Sequence, residues 1–504
     1  MKKRALTLLL ACLMVLPMLA ACSENAADKE ESTAPETTAP TTPSADAETV
    51  PAEEEEAEIL PDIPALDFEG ETFTFLTSGI NDTNGADWET YDIWVEELNG
   101  DVMNDAVIER NLYIEETYNT KIAEYKTNST TLSEIQTEVK AGSGAFDAAM
   151  THFENGASLA QGGSLHNLYD MPYINLKQPW WDQRGVADMN LMGGVFLATG
   201  DITVIDNDAT WVLMFNKQMH EDLQLENLYD LVREDRWTYD TFYTMAQGAS
   251  VDMNGDGALK WKDDVFGFLT SSYSSQGLMY ASGEKLVTRD ADNNLVALED
   301  INRLSGVVEI AAKIMGDKMI TFQTGYEGSN ANDLRIIFEE GRGLFFGEVM
   351  QCIIRMRESE TEFGLIPWPK YDETQQDYYN LVHTSAGRGV VIPVSQTDYE
   401  FAGAVIEAMA AKSMYTVTPA YYDVALTYKY MRDTESAEML DIILESRIYD
   451  LGLIANYGSM ASNIAAIITN GAGNLASTWA KLNKSFTKVM SKAVEKYADV
   501  MDRG

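Results

Sequence analysis

The segment 252–263 reads DMNGDGALKWKD and has the composition and spacing of a calcium-binding loop. Side-chain oxygens recur at its first, third, fifth and twelfth positions, and a glycine occupies the sixth, where the chain must turn sharply around a hard cation. The twelfth residue is Asp rather than Glu, and Lys260 occupies the ninth position. The alternative is a metal-free turn rich in Asp and Asn. The pattern predicts a structural calcium held by Asp252, Asn254, Asp256, the backbone carbonyl of Ala258, and Asp263.

No comparable pattern indicates catalysis. The four histidines are scattered along the chain, and neither HExxH nor GxSxG occurs; they are His152, His166, His220 and His383. Carboxylates are so abundant that a pair suited to glycoside hydrolysis cannot be identified or dismissed by counting. We therefore predict a protein that is not an enzyme, with a surface glycoside hydrolase as the alternative.

The N-terminus predicts export and a lipid anchor. Lys2, Lys3 and Arg4 precede an apolar run over residues 6–19, which is the anatomy of a secretory signal rather than of a membrane span. The run ends in LAAC at 19–22, which resembles the lipobox of bacterial lipoproteins. That resemblance implies cleavage after residue 21, acylation (a palmitate group among the acyl chains) of Cys22, and attachment to the extracytoplasmic face of the membrane through lipid alone. An ordinary signal peptide is the alternative.

Residues 22–65 are predicted to form a disordered tether. They are rich in Pro, Thr, Ala and Glu and show no apolar periodicity, so they have no surface from which to build a core. Like charges along such a segment repel one another and extend it. This tether would hold a folded domain away from the membrane.

The charge of the chain restricts its partners. With 80 acidic and 36 basic residues the formal net charge is -44. Such a surface repels nucleic acid and anionic lipid. Outside the predicted signal and the lipid site only Cys352 remains, so we expect no internal disulfide and predict that Cys352 is a small buried hydrophobe. We expect a monomer.

From residue 68 onwards strand and helix patterns alternate. Short apolar strands are predicted at 73–76, 121–125 and 146–150, with helices between them, one of which carries Met103, Val107, Ile114 and Tyr118 on one face. Further helices are predicted at 399–412, 437–449 and 476–501, the first of them after the strand-like segment 390–393. This alternation is typical of βαβ units and a parallel sheet.

Several segments, in a consistent order, resemble the family 1 extracellular solute-binding proteins, the receptors of ABC importers for oligosaccharides. They include VLMFNK at 212–217 with WT at 237–238, the loop 252–267, FEEG at 338–341, FGLIP at 363–367, VIP at 391–393, and PWW at 179–181. The resemblance covers most of residues 68–450.

The resemblance implies an α/β fold of two lobes, joined by a hinge, with a ligand cleft between them. The first lobe would comprise 66–205 and 366–415, and the second 206–365 and 416–504. It also implies a carbohydrate ligand and the permease subunits of an ABC importer as partners. Open parallel sheets bind ligands beyond the carboxyl ends of their strands, which favours the same cleft. A scaffold or adhesin lipoprotein without a small ligand stays open as another alternative.

Aromatic and acidic residues in or beside loop-like stretches are the candidates for this cleft. An aromatic ring stacks on the C–H face of a sugar, while carboxylates and amides bond its hydroxyl groups. Each aromatic residue could equally be packing in a core, and only one of the adjacent Trp180 and Trp181 can face the cleft in regular geometry. Glu348 follows a predicted turn at 345–347. The predicted ligand-binding residues are Trp180, Trp181, Trp211, Tyr273, Glu348 and Trp368, with Tyr421 and Tyr422 as further aromatic candidates.

Overall fold

The computed structural model describes residues 58–83, 88–291, 293–356, 359–426 and 434–502. The predicted signal peptide 1–21, the lipid site Cys22 and residues 22–57 of the predicted tether lie outside these ranges. No helix within them combines the length and the apolar character that crossing a bilayer requires. Residues 58–65, predicted to belong to the tether, contact the folded chain: Ile59 N donates to the Tyr415 hydroxyl at 2.7 Å, and Lys412 pairs with Glu58 at 3.0 Å.

The strands of the described residues are short and mostly buried. They are β1 (Thr72–Thr77), β2 (Lys121–Lys126), β3 (Ala148–His152), β4 (Trp211–Asn216), β5 (Phe266–Thr270), β6 (Val287–Arg289), β7 (Leu295–Ala297), β8 (Thr321–Gln323), β9 (Gly343–Val349), β10 (Phe363–Ile366), β11 (Asn380–Leu381), β12 (Arg388–Val391) and β13 (Arg447–Ile448).

The helices cover the sheets and extend to the C-terminus. They are α1 (Ile80–Thr83), α2 (Val102–Tyr118), α3 (Thr131–Ala141), α4 (Phe153–Gln161), α5 (Gln183–Asp188), α6 (Ile205–Asp208), α7 (Lys217–Asp222), α8 (Leu228–Arg233), α9 (Tyr239–Ala249), α10 (Ser274–Ala281), α11 (Asn302–Gly316), α12 (Ala331–Glu339), α13 (Gln351–Arg355), α14 (Tyr399–Ser413), α15 (Val417–Leu426), α16 (Thr434–Glu445), α17 (Leu451–Ile454), α18 (Met460–Thr469) and α19 (Leu475–Met501).

The first lobe is built on a four-stranded sheet in the order β12-β3-β1-β2. β1 runs parallel to β2 and β3, whereas β12 is antiparallel to β3. Helix α2 begins at Asp101, whose side chain accepts the Asn104 N–H, and ends before Asn119, which has a left-handed φ of 48°. The face predicted from the spacing of Met103, Val107, Ile114 and Tyr118 is buried, as expected.

The second lobe is built on a five-stranded sheet in the order β10-β4-β9-β5-β8. β9, β5 and β8 are parallel, and β4 is antiparallel to both β9 and β10. The predicted helix 437–449 is too long at its C-terminal end, because α16 stops at Glu445 and residues 447–448 form β13 beside β11. Cys352 is buried, as predicted.

The chain crosses between the two sheets at 205–210 and between β10 and β12. Beyond β12, α14 packs in the core with strands of the first sheet, and α15 packs in the core with strands of the second. The first crossing carries buried carboxylates that accept bonds from other segments. Tyr91 and Tyr421 donate to Asp208 at 2.8 and 3.0 Å, and Arg447 pairs with Asp206 at 2.9 Å. The crossing is therefore fixed by polar contacts made to its own acidic side chains.

Helix α19 contacts elements beside both sheets. It packs against α18 and α11 and also against α4, where the Tyr497 hydroxyl donates to the Ala157 carbonyl at 3.3 Å. The C-terminal segment, assigned from the sequence to the second lobe, thus touches the first lobe as well. The predicted lobe boundaries stay a prediction.

Candidate functional site

A cavity of about 500 Å³ lies where the carboxyl ends of parallel strands from both sheets converge. The first lobe and the β10–β12 crossing line it with Asp82, Trp88, His152, His383, Ser385 and Ala386; the second lobe lines it with Trp211, Ser271, Tyr273, Thr324, Ala331, Asn332, Arg335, Glu348, Val349, Gln351, Cys352 and Arg355. His152 ends β3, Ser271 follows β5, and Thr324 follows β8. This is the position at which open α/β sheets bind ligands.

The buried Arg388 at the start of β12 holds the first-lobe wall together. Its guanidinium donates to the Ser78 hydroxyl at 3.1 Å, the Trp88 carbonyl at 2.7 Å and the Ala386 carbonyl at 2.8 Å. Ser78 follows β1, so one side chain connects three segments of this wall. Because the bond to Trp88 is made to its backbone, the indole is left to face the cavity.

Asp82 and His152 form the polar part of the same wall. The Asp82 carboxylate accepts the Ser78 hydroxyl at 2.9 Å and the Thr131 N–H at 3.1 Å, and lies 3.9 Å from His152 Nε2. Burial and the charge of Arg388 lower the pKa of His152 to about 4. The ring is therefore neutral at neutral pH. Its Nε2 accepts from Arg388 Nη2 at 3.3 Å, which leaves the proton on Nδ1 as the donor.

Aromatic rings stack at the base of the cavity. Trp211 lies over His383 with ring centroids 6.0 Å apart and an interplanar angle of 25°, and Tyr273 meets His383 edge-on at 5.5 Å. Trp211 is 1% exposed, whereas Tyr273 is 58% exposed. The ring open to a ligand is therefore Tyr273, and Trp211 supports it from beneath through His383.

The second-lobe wall carries Glu348 and two arginines. Burial raises the pKa of Glu348 to about 7, although its carboxylate accepts the Val349 N–H at 3.0 Å. Arg335 donates to both oxygens of Glu339 at 2.6 Å, and Arg355 donates to Gln351 at 2.7 Å. The predicted turn at 345–347 is wrong: these residues belong to β9, and Glu348 projects from the same strand.

The structure brings together Trp211, Tyr273 and Glu348 among the predicted ligand-binding residues. It does not bring Trp180 and Trp181 to this cavity. Both indoles are buried, and both donate to one carboxylate, that of Glu407 on α14, at 3.2 and 2.9 Å. They belong to the core of the first lobe, because pairing both N–H groups with Glu407 turns both rings inward.

Trp368 is also a core residue. It is fully buried, meets Phe268 edge-on at 6.2 Å, and its backbone N–H donates to Asn380 at 3.0 Å. Tyr421 is buried with its hydroxyl on Asp208. Neither residue lines the cavity, because each is buried in a hydrophobic core of the protein.

The loop 252–263 is closed by hydrogen bonds to its own backbone. Asp252 accepts the N–H groups of Gly255 and Gly257, each at 2.7 Å, and Asp256 pairs with the Lys260 ammonium. Within the described ranges, no three His, Cys, Asp or Glu side chains are grouped as a metal ion would require. The loop 252–263 offers the oxygen ligands that calcium prefers, but a cation would have to displace the Lys260 ammonium from Asp256.

Sequence reasoning missed most of the polar lining of the cavity. His152 and His383 looked scattered in the sequence, yet they face one cavity, and Asp82, Trp88 and Arg335 carried no motif. A usable signal was their position: His152 follows the predicted strand 146–150 by two residues, and Asp82 follows the predicted strand 73–76 by six. Collecting the polar residues directly after each predicted strand would have identified part of the site.

No family model matches the sequence, and no curated protein matches it. Solved structures do match. The cyclic alpha-maltosyl-1,6-maltose binding protein from Arthrobacter globiformis aligns with a TM-score of 0.54 at 14% identity, over 86% of this chain and 99% of that chain. For UspC from M. tuberculosis the TM-score is 0.54 at 13% identity, over 83% and 100% of the two chains. For an ABC substrate-binding protein from Listeria monocytogenes in complex with cycloalternan it is 0.50 at 11% identity, over 86% and 99%.

The fold is that of two-lobe ABC substrate-binding proteins. The α/β fold with an interlobe cleft, predicted from the sequence, is thereby confirmed. The match extends over nearly the whole of each solved chain, so it includes both sheets and the crossings between them.

Proposed function

We propose that this protein captures a carbohydrate in the interlobe cavity and delivers it to an ABC importer. The observation that carries the proposal is the cavity itself, at the carboxyl ends of both sheets, with an exposed tyrosine ring beside carboxylate, amide and guanidinium groups. A sugar offers complementary features, because its C–H face stacks on a ring and its hydroxyl groups donate to carboxylates and accept from N–H groups.

The residues would divide this recognition between the lobes. Tyr273 provides the stacking surface from the second lobe, and Trp88 provides an indole from the first. Asp82 and Glu348 lie on different lobes, so a ligand bonded to both would favour lobe closure. A hinged closure of this kind is how a binding protein presents a different surface when it is loaded.

The location of the protein follows from the N-terminal sequence. We propose that the signal 1–21 directs export and that acylated Cys22 anchors the protein at the extracytoplasmic face, where the tether lets it reach the permease. Two or more acyl chains, at about 0.8 kcal/mol for each buried methylene, give a stable anchor.

A thermal-shift screen with a panel of neutral and acidic oligosaccharides tests the proposed function. A ligand that binds only the native state raises the melting temperature. We expect at least one saccharide to do so, and Tyr273→Ala to weaken its binding about tenfold, since one lost stacking contact costs on the order of 1–3 kcal/mol. Tyr125→Ala, at an exposed tyrosine outside the cavity, is the matched control. No shift with any saccharide would contradict the proposal.

A hydrolase is the second candidate, because Asp82 and Glu348 approach one cavity from different lobes and Glu348 has the raised pKa of a general acid. Product analysis by chromatography after prolonged incubation separates the two functions. We expect unchanged saccharide; turnover that Glu348→Gln abolishes would establish hydrolysis instead.

We also propose that calcium binds at 252–263. The support is the set of oxygen donors and the glycine turn, and the competing contact is the pair between Asp256 and Lys260. The ion would have a structural role, because the loop lies outside the lining of the cavity.

A further inference from the structure

A second cavity, of about 570 Å³, shares no lining residue with the first. One wall comes from residues 169–190, between β3 and β4, and the other from the β6–β7 hairpin, with Tyr449 and Leu451 between them. Its volume is within the range of about 300–1,000 Å³ that is typical of small-molecule sites.

The charge of this cavity is opposite to that of the chain. Lys177, Lys285 and Arg289 line it, and the only carboxylate among its lining residues is that of Asp188. Asp188 pairs with Lys285 at 2.5 Å and accepts the Tyr449 N–H at 3.2 Å. Its charge is therefore compensated, and the lining is net positive in a protein whose net charge is -44.

Arg289 is held in a fixed orientation. Its Nη2 donates to the backbone carbonyls of Ala187 at 2.9 Å, Asp188 at 3.1 Å and Asn190 at 2.5 Å. Its Nε and Nη1 donate to no residue in the part of the chain that the structure describes. The three contacts at Nη2 fix the plane of the guanidinium, and the N–H groups of Nη1 and Nε can each donate a single hydrogen bond to an anion.

The remaining polar groups suit an anion that also carries hydroxyl groups. Asn190 and Asn293 contribute amides, and Thr288 contributes a hydroxyl. Gln183 contributes only its amide oxygen, because its Nε2 already donates to three backbone carbonyls. Lys177 is exposed, and its ammonium makes no hydrogen bond or ion pair within the described ranges. It can therefore approach a ligand without giving up a contact in the protein.

We infer that this cavity is a second binding site, for a small organic anion that carries a carboxylate or phosphate group beside hydroxyl groups. The inference stands apart from the carbohydrate site, because the two cavities have no residue in common. The carboxylate or phosphate meets Arg289 and Lys177, and the amides bond the hydroxyl groups.

Isothermal titration calorimetry at constant ionic strength tests this inference with three probes: citrate, inorganic phosphate and neutral sorbitol. We expect saturable binding of citrate or phosphate by the intact protein and none of sorbitol. Lys177→Gln should weaken the affinity for the anion about tenfold, because it removes a charge-assisted hydrogen bond to the bound group. Arg289→Lys should weaken it further, because one ammonium cannot both keep the contacts to the backbone carbonyls and donate to the anion.

Lys488→Gln on α19 removes the same charge at an exposed position outside the cavity, and should leave anion affinity unchanged. Melting temperatures identify any variant that fails to fold. Lys177 is exposed, and its side chain makes no hydrogen bond or ion pair in the described part of the chain, so we expect Lys177→Gln to fold and to report on anion binding. Absence of saturable anion binding, an equal loss in Lys177→Gln and Lys488→Gln, or equal binding of sorbitol would each overturn the inference. Saccharide binding is measured in parallel and is expected to be normal in both lysine variants.

Discussion

At the scale of single residues, burial decides what each aromatic side chain does. Trp181, Trp211 and Tyr273 are all large rings that the sequence placed near a cleft, yet only Tyr273 presents an open surface there. Trp181 donates to Glu407, and Trp211 supports His383. A ring can therefore contribute to ligand binding directly, through a neighbour, or not at all.

The Trp181 contact yields a stability prediction. Trp181→Ala should destabilise the protein by about 3–5 kcal/mol, because it opens a cavity in the first-lobe core and leaves Glu407 with one donor fewer. Its saccharide dissociation constant should stay within about twofold of the parent value in protein that remains folded. Denaturant unfolding and calorimetry measure the two quantities. A variant with normal stability and weakened saccharide binding would place Trp181 in the site after all.

At the scale of elements, the crossing at 205–210 and the loop 252–263 show two uses of carboxylates. In the crossing they are buried, and burial raises the pKa of Asp206 to about 6 and of Asp208 to about 7. In the loop they are exposed, and the bond from Lys260 lowers the pKa of Asp256. The two elements should therefore respond to different solution conditions.

The crossing should make the protein less stable as the pH rises. An aspartate with a raised pKa keeps its proton in the folded state after the unfolded chain has released it near pH 4, so stability falls between about pH 4 and pH 7. Asp208→Asn removes one such group. Between pH 5 and pH 8 its melting temperature should fall by about 2 °C less than that of the parent. His152 and His383 have lowered pKa values and therefore change the stability with pH in the opposite direction. Both proteins contain them, so their contribution cancels when the change in melting temperature with pH is compared between parent and variant. An equal change in melting temperature with pH in the two proteins would contradict a raised pKa of Asp208.

The loop prediction concerns calcium. Chelation should lower the melting temperature of the parent protein, and Asp256→Ala should reproduce that loss and abolish the response to chelator, because a ligand of the native state alone stabilises it. Asp240→Ala, on the first turn of α9 outside the loop, is the control. Identical melting curves of the parent with calcium and with chelator would contradict calcium binding and support a metal-free turn at 252–263.

At the scale of the whole molecule, the anchor and the folded lobes should be separable. The predicted lipid site lies at residue 22, and the described fold begins at residue 58. Cys22→Ala should move the protein from the membrane fraction to the soluble fraction and leave its saccharide affinity unchanged, since the acyl chains supply the membrane affinity. Fractionation and calorimetry measure the outcome. A variant that stays with the membranes through detergent-free washes would contradict the lipid anchor.

The sequence by itself determined the local structure and the class of the fold. Helical spacing predicted the buried face of α2, and short apolar runs predicted β1, β2 and β3. The resemblance of several segments, in order, to the family 1 extracellular solute-binding proteins predicted two lobes with a cleft. Only the tertiary structure decided which residues line that cleft. Trp181 and Tyr273 are both aromatic residues beside loops, and burial depends on what packs against each of them, which neither local pattern contains. His152 and His383 line one cavity because a strand and a crossing end at the same edge, a consequence of topology that no short stretch of sequence encodes.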